Sequence, residues 1–86
     1  MEVACDWHHQ LDVPTGVRLA AKLAALGIRW VEDPVPFDSL SPLRRLAAAT
    51  AVPLCASETV ATPGRFADLL ALEPPAVHHV MYDLGW

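Results

Sequence analysis

Four acidic residues close four short apolar runs, and their type and spacing could do chemistry. Asp6 follows Val3-Ala4-Cys5, Glu32 follows Ile28 to Val31, Glu58 follows the run from Val52 to Ala56, and Asp83 follows Val77 to Tyr82. The separations are 26, 26 and 25 residues. Taken singly, each acid is most simply a solvated loop residue; the even spacing of the set is what points further. If Asp6, Glu32 and Glu58 face one mouth, three carboxylates converge, and like charges that close need compensation. A hard divalent cation supplies it. Mg²⁺ takes oxygen ligands in octahedral geometry and keeps positions open for water or substrate. Asp33 should point away from Glu32, because successive strand residues alternate, so it is assigned a loop contact rather than a ligand role. By the same alternation His8 would share a side with Asp6 if strand geometry persists. An imidazole titrates near neutral pH, which makes His8 a candidate for acid/base work. His9 would point the other way and be structural.

The elements that must position these groups are legible in order. Residues 2–6 read as a strand. Asp12-Val13-Pro14-Thr15 opens a helix, with proline acceptable in a first turn. Val17, Ala20, Ala21 and Ala24 give its apolar stripe, widened by Leu19, Leu23 and Leu26, while Arg18 and Lys22 fall on the solvated face. Gly27 supplies the stop. A second strand covers 28–32, ended by Pro34 and Pro36, which cannot donate to a ladder. Ser41-Pro42 caps a second helix with Leu43, Leu46, Ala47 and Thr50 inward. A third strand covers about 52–57. Thr62-Pro63 caps a third helix with Phe66, Leu69 and Leu70 inward, and Pro74-Pro75 ends it. A fourth strand runs from Val77 to about Asp83.

Strands alternating with helices over short connections imply a parallel sheet with right-handed crossovers. A doubly wound sheet would mark its first turn with a glycine-rich phosphate loop, but Gly16, Gly27, Gly64 and Gly85 are scattered. A (β/α)₈ barrel places functional groups at the C-terminal ends of several strands, as the acids are placed here. The fold class is therefore α/β, a partial (β/α)₈ barrel of about four parallel strands and three helices. Four strands make about half a barrel.

Composition narrows the functional classes. With 86 residues and 53% hydrophobic side chains, the chain is rich in apolar groups for its size. That favours a piece of a larger core over a small domain. A net charge of −4 with no basic run argues against nucleic acid. No apolar run reaches membrane-spanning length, and Met1-Glu2-Val3 does not begin a signal peptide, so the cytoplasm is the expected compartment. Cys5 and Cys55 are expected as buried free thiols, since their spacing matches no zinc motif. His78 and His79 are expected as core or strand residues, and Trp7 and Trp30 as packing or pocket walls.

Asp6-x-His8, Trp30-Val31-Glu32-Asp33-Pro34-Val35-Pro36, Ala56-Ser57-Glu58 and Asp83-Leu84-Gly85-Trp86 together resemble the metal-binding core of the enolase superfamily. The likeness is closest to its mandelate racemase-like acid-sugar dehydratases, and the Asp-x-His feature is shared with the mannonate dehydratase type. It covers essentially the whole chain and would correspond to the third to sixth strands of that family's barrel. Residues 1–86 would then be a fragment of the C-terminal barrel domain, without the capping domain and the remaining strands. The resemblance implies Asp6, Glu32 and Glu58 as the Mg²⁺ ligands and His8 as an acid/base group. It implies Asp83 as the aspartate that orients a catalytic histidine on the following strand. The activity implied is abstraction of a proton α to a carboxylate, then loss of a β-hydroxyl from a sugar acid, in a full-length homo-oligomer. Racemase or cycloisomerase activity is the alternative within the family. Ser57 stands where glycine is usual before the third ligand. Two readings from other classes are a non-catalytic, self-associating half-barrel and a small metal-binding protein using Asp6, His8 and His9.

Overall fold

The computed structural model describes residues 1–36, 39–56, 60 and 62–81. Within them the chain runs β1 (Cys5–Asp6), α1 (Val13–Ala25), β2 (Val31–Glu32), α2 (Leu40–Ala49), β3 (Leu54–Ala56), α3 (Pro63–Leu70) and β4 (His79–Val80). Local sequence sets the helix ends. The Asp12 carboxylate accepts from the Thr15 N–H at 2.8 Å, satisfying one of the donors a helix start leaves open. That hydrogen bond also holds the Asp12 carboxyl below its usual range. Thr62 does the same for the Arg65 N–H at 3.3 Å. Gly27 takes φ +72° just past α1, a conformation that costs glycine little. Helix α2 starts earlier than Ser41-Pro42 suggests. Ser39 is the cap residue, without a side-chain bond, and Pro42 still falls in the first turn, where its missing N–H costs nothing.

The regular strands are shorter than the apolar runs. Pro53 precedes β3 and Pro34 follows β2, and neither has an N–H to donate to a ladder, although Pro53 O still accepts from Val31 N–H at 2.9 Å. Single backbone bonds carry the pairing a little further: Arg29 N–H to Val3 O at 2.8 Å, Trp7 N–H to Glu32 O at 3.0 Å and Asp33 N–H to Cys55 O at 2.9 Å. Residues 57, 82 and 83 of the expected strands lie outside the described residues.

The sheet order is β1-β2-β3-β4, all parallel. Each strand is added beside the last in one direction. With right-handed crossovers, that order puts every connecting helix on the same face. A doubly wound sheet would reverse direction at a switch point, and none occurs among the described strands. The arrangement is that of consecutive units of a (β/α)₈ barrel.

Ala20 of α1, Leu43 and Leu46 of α2 and Leu69 of α3 pack on Val31, Leu54 and Ala56 of the sheet. The buried side of α1 is rotated from the expected stripe. Gly16 and Ala20 are buried and Val13, Val17 and Leu23 lie against the core, whereas Ala21, Ala24 and Leu26 are exposed. Close approach at Gly16 explains this. A Cβ built there would lie 3.5 Å from the Trp7 ring and 3.6 Å from Leu46, so the helix meets its neighbours on that side. Leu70 is likewise exposed, and Leu69 alone is buried in α3. Among the described residues, no helix is long and apolar enough to cross a membrane.

Leu46 sits at the centre of this packing with no exposed surface. Leu46→Ala is expected to cost about 2–5 kcal/mol of stability, read as a lower denaturant midpoint. Gly16→Ala is expected to stabilise by up to about 1 kcal/mol, because the new methyl meets ordinary contacts and a helix-interior glycine is removed.

Candidate metal centre

The register places the acids before any side chain is considered. Asp6 pairs with Glu32, Glu32 with Cys55, and Cys55 with His79, so these four residues form one row across the sheet. Paired residues in a sheet point to the same side. Val31, Leu54 and Ala56 face the helices, which puts the row on the opposite face. Equal sequence spacing is therefore not equal register. The 26-residue step from Asp6 to Glu32 matches the pairing, but β3 presents Cys55 opposite Glu32. Glu58 comes three residues later in the sequence. Glu58 and Asp83 lie outside the described residues.

One carboxylate oxygen each from Asp6, Glu32 and Asp33 lies within 4.8 Å of the others. Asp6 and Glu32 meet as expected; Asp33 is the addition. Its φ of +44° breaks the extended backbone just after β2, so strand alternation no longer sends it away from Glu32. Asp33 is fully buried, Glu32 half-buried and Asp6 exposed. A sequence signal for Asp33 existed in Pro34, which restricts the residue before it, but proline does not specify a left-handed turn.

Strand geometry also ends at Asp6. His8 and His9 have φ of +48° and +61°, and Gln10 N–H closes the turn on Trp7 O at 3.0 Å. A turn, not alternation, therefore sets the place of His8. Its backbone N–H donates to Asp6 Oδ1 at 2.9 Å, which ties the carboxylate to the turn. His8 is exposed. His9 N–H donates to Asp33 O at 2.8 Å, and its ring Nδ1 lies 3.1 Å from Val35 O, so His9 is structural as expected.

The remaining groups line the surroundings. Cys5 and Cys55 are free thiols. Burial pushes the Cys55 thiol up to about 11, and the negative charges of Glu32, Asp33 and Asp6 push the same way. Trp30, two residues before Glu32, stacks against His79 with ring centroids 4.9 Å apart, forming a wall on the row's side. His78 Nδ1 accepts from Leu54 N–H at 3.3 Å, a strand-stabilising role. Arg29 pairs with Glu2. A cleft of about 590 Å³ lies by the N-terminal ends of β3 and β4, lined by Arg44, Arg45, Thr50 and His78 among others. It contains none of the acids, and that end of such a sheet serves stability.

The acid cluster makes a pH prediction. The folded Cys55 holds its proton more tightly than an unfolded thiol with the ordinary value of 9.0. Its contribution to stability is complete below that value and is lost as pH rises toward about 11. Cys55→Ala should flatten the fall of the thermal midpoint across that window. Glu32→Gln should lower the thiol pKa, read from thiolate absorbance, while burial keeps it raised.

Comparison with known proteins agrees with the fold. Residues 1–86 match the family described as Enolase C-terminal domain-like. A D-xylonate dehydratase of Haloferax volcanii is 31% identical over 83 residues, covering 96% of this chain and 20% of that protein. A mandelate racemase/muconate lactonizing enzyme-like protein from Rubrobacter xylanophilus superposes with a TM-score of 0.88 at 37% identity, over 96% of this chain and 21% of that one. An enolase from Bradyrhizobium, solved with magnesium and mandelic acid, gives a TM-score of 0.88 at 30% identity, over 98% and 23%. The chain thus spans about a fifth of the length of these relatives. On the match over its whole length, the chain belongs to the enolase C-terminal domain-like family.

Proposed function

We propose that this chain supplies the cation-binding acids of a Mg²⁺-dependent acid-sugar dehydratase, with Asp6, Glu32 and Glu58 as ligands. The observation that carries the proposal is the paired placement of Asp6 and Glu32 on adjacent strand ends, with carboxylate oxygens no more than 4.8 Å apart. The donors suit the ion. Two ligands of an octahedral Mg²⁺ are at most about 4.2 Å apart, twice its bond length, so a small inward shift of side chains completes the fit. The D-xylonate dehydratase relative and the neighbour solved with magnesium support the same chemistry.

Bound Mg²⁺ would supply positive charge where the substrate carboxylate gains negative charge as its α proton leaves. Asp6 and Glu32 hold that charge at the C-terminal ends of β1 and β2. A base takes the α proton, the β carbon–oxygen bond breaks, and the hydroxyl leaves as water with a proton given by an acid. His8, exposed and two residues from Asp6, is assigned that acid/base step. Asp83 is assigned the orientation of a histidine from a later strand. Residues 1–86 are read as part of a barrel domain whose other strands and capping domain complete the site, in a cytoplasmic homo-oligomer.

A racemase is the second reading, favoured by the mandelate racemase-like neighbours. Product analysis on sugar acids separates the two. The protein carrying this chain, given Mg²⁺, should release a keto acid with loss of the β-hydroxyl. Chelation of the metal should abolish turnover and re-addition of Mg²⁺ restore it. Asp6→Asn and Glu32→Gln should each remove Mg²⁺ binding, whereas His8→Asn should retain binding and lose turnover by roughly 10²–10⁴-fold. An epimer without keto acid would establish the racemase instead. Unchanged turnover in Glu32→Gln would exclude both.

A further inference from the structure

We propose that the cleft beside α2, by the N-terminal ends of β3 and β4, is a binding site for a small phosphate monoester. The site is independent of the cation reading above. At about 590 Å³ the cleft falls within the size range of small-molecule sites. Its polar lining is Ser41, Arg44, Arg45, Thr50 and His78, and alanine and proline make up the rest.

Every polar side chain there can donate, and two are held in that role by the backbone. Thr50 Oγ1 accepts from Val52 N–H at 3.1 Å, which leaves its own hydrogen to turn toward a ligand. His78 Nδ1 accepts from Leu54 N–H at 3.3 Å, which leaves the ring hydrogen on Nε2. Arg44 and Arg45 present only donors. Both are exposed, and among the described residues neither pairs with an acid. No carboxylate lines the cleft. The chain carries a net charge of −4, so its overall field repels anions. Two adjacent unpaired guanidiniums are a local exception to that field.

Donors without acceptors select a ligand that only accepts. A carboxylate has its two oxygens in one plane, and a single guanidinium fork satisfies it. Here the donors come from three places: the body of α2, its C-terminal end and the residue before β4. A phosphate monoester presents terminal oxygens in tetrahedral directions, which suits that spread. The alanine and proline walls meet its carbon skeleton. A barrel of this type keeps its chemistry at the other end of the strands, so the ligand is held here and not turned over.

The test is calorimetric titration of the metal-free protein carrying this chain with inorganic phosphate, glycerol 3-phosphate and succinate. Ionic strength is held constant with chloride, because exposed arginines attract any anion at low salt. Both phosphate probes should saturate one site, glycerol 3-phosphate at least as tightly, and succinate should bind about tenfold more weakly or worse. Arg44→Gln and Arg45→Gln should each weaken binding by about tenfold or more, as loss of a charge-assisted bond does. Their ligand-free thermal midpoints should stay near that of the unsubstituted protein, since both side chains are exposed. Thr50→Ser keeps the hydroxyl and should keep binding. The proposal is overturned if neither phosphate probe saturates by about 10 mM, if succinate binds as tightly, or if both arginine variants bind normally. Saturation by inorganic phosphate without glycerol 3-phosphate means an adventitious ion only, and overturns it as well.

Discussion

Backbone pairing between β1 and β2 holds two like charges together that would otherwise separate. Cys5 N–H donates to Trp30 O at 3.1 Å and Trp7 N–H to Glu32 O at 3.0 Å, which locks Asp6 opposite Glu32. A one-residue slip would send one acid to the helix face and break the pair. Register is in turn fixed by what the other face buries. Val31, Leu54 and Ala56 meet Ala20, Leu43, Leu46 and Leu69, and a one-residue shift of a strand would turn its residues away from them. The placement of charge is thus a consequence of apolar packing on the far side of the same strands.

Burial grades the cluster. Asp6 lies at the exposed edge, Glu32 is half-buried and Asp33 is fully enclosed. The enclosed group is also the one with an imidazole beside it and a strained backbone. Effective dielectric falls with burial, so a charge on Asp33 is felt more strongly than one on Asp6. Cys55 responds to its own burial first and then to these charges, most to Glu32, its register partner, then to Asp33 and least to Asp6. A neutral thiol in that row leaves the carboxylates as the site's only negative groups among the described residues.

Much of this was legible in residues. The caps Asp12 and Thr62, the stop at Gly27 and the alternation of elements all follow from local chemistry, which is encoded within a few positions. Asp6 and Glu32 were legible because each ends an apolar run on a neighbouring strand. What escaped depended on contacts distant in sequence. The rotation of α1 follows from how Trp7 and Leu46 approach Gly16, which no helical stripe reveals. Pairing of β3 depends on lateral sheet geometry, so the even spacing to Glu58 did not foretell Cys55 opposite Glu32. Asp33 escaped because alternation assumes extended backbone, and the two turns that abolish it stabilise one another across the strand ends.

Those turns also explain why the chemistry gathers at one end of the sheet. Prolines restrict the chain around β2 and β3, but among the described residues only the β1 and β2 ends combine positive φ with a histidine crossing between them. A side chain on a freely moving loop would pay rotamer entropy each time it engaged a cation or substrate. Here the entropy is lost on folding, because His8 N–H holds Asp6 and the His9 ring is anchored on Val35 O. The opposite end carries His78 and the α2 arginines, with His78 bonded to Leu54 N–H. Rigid strand ends with strained turns on one side and ordinary packing on the other give a site whose geometry exists before any ligand arrives.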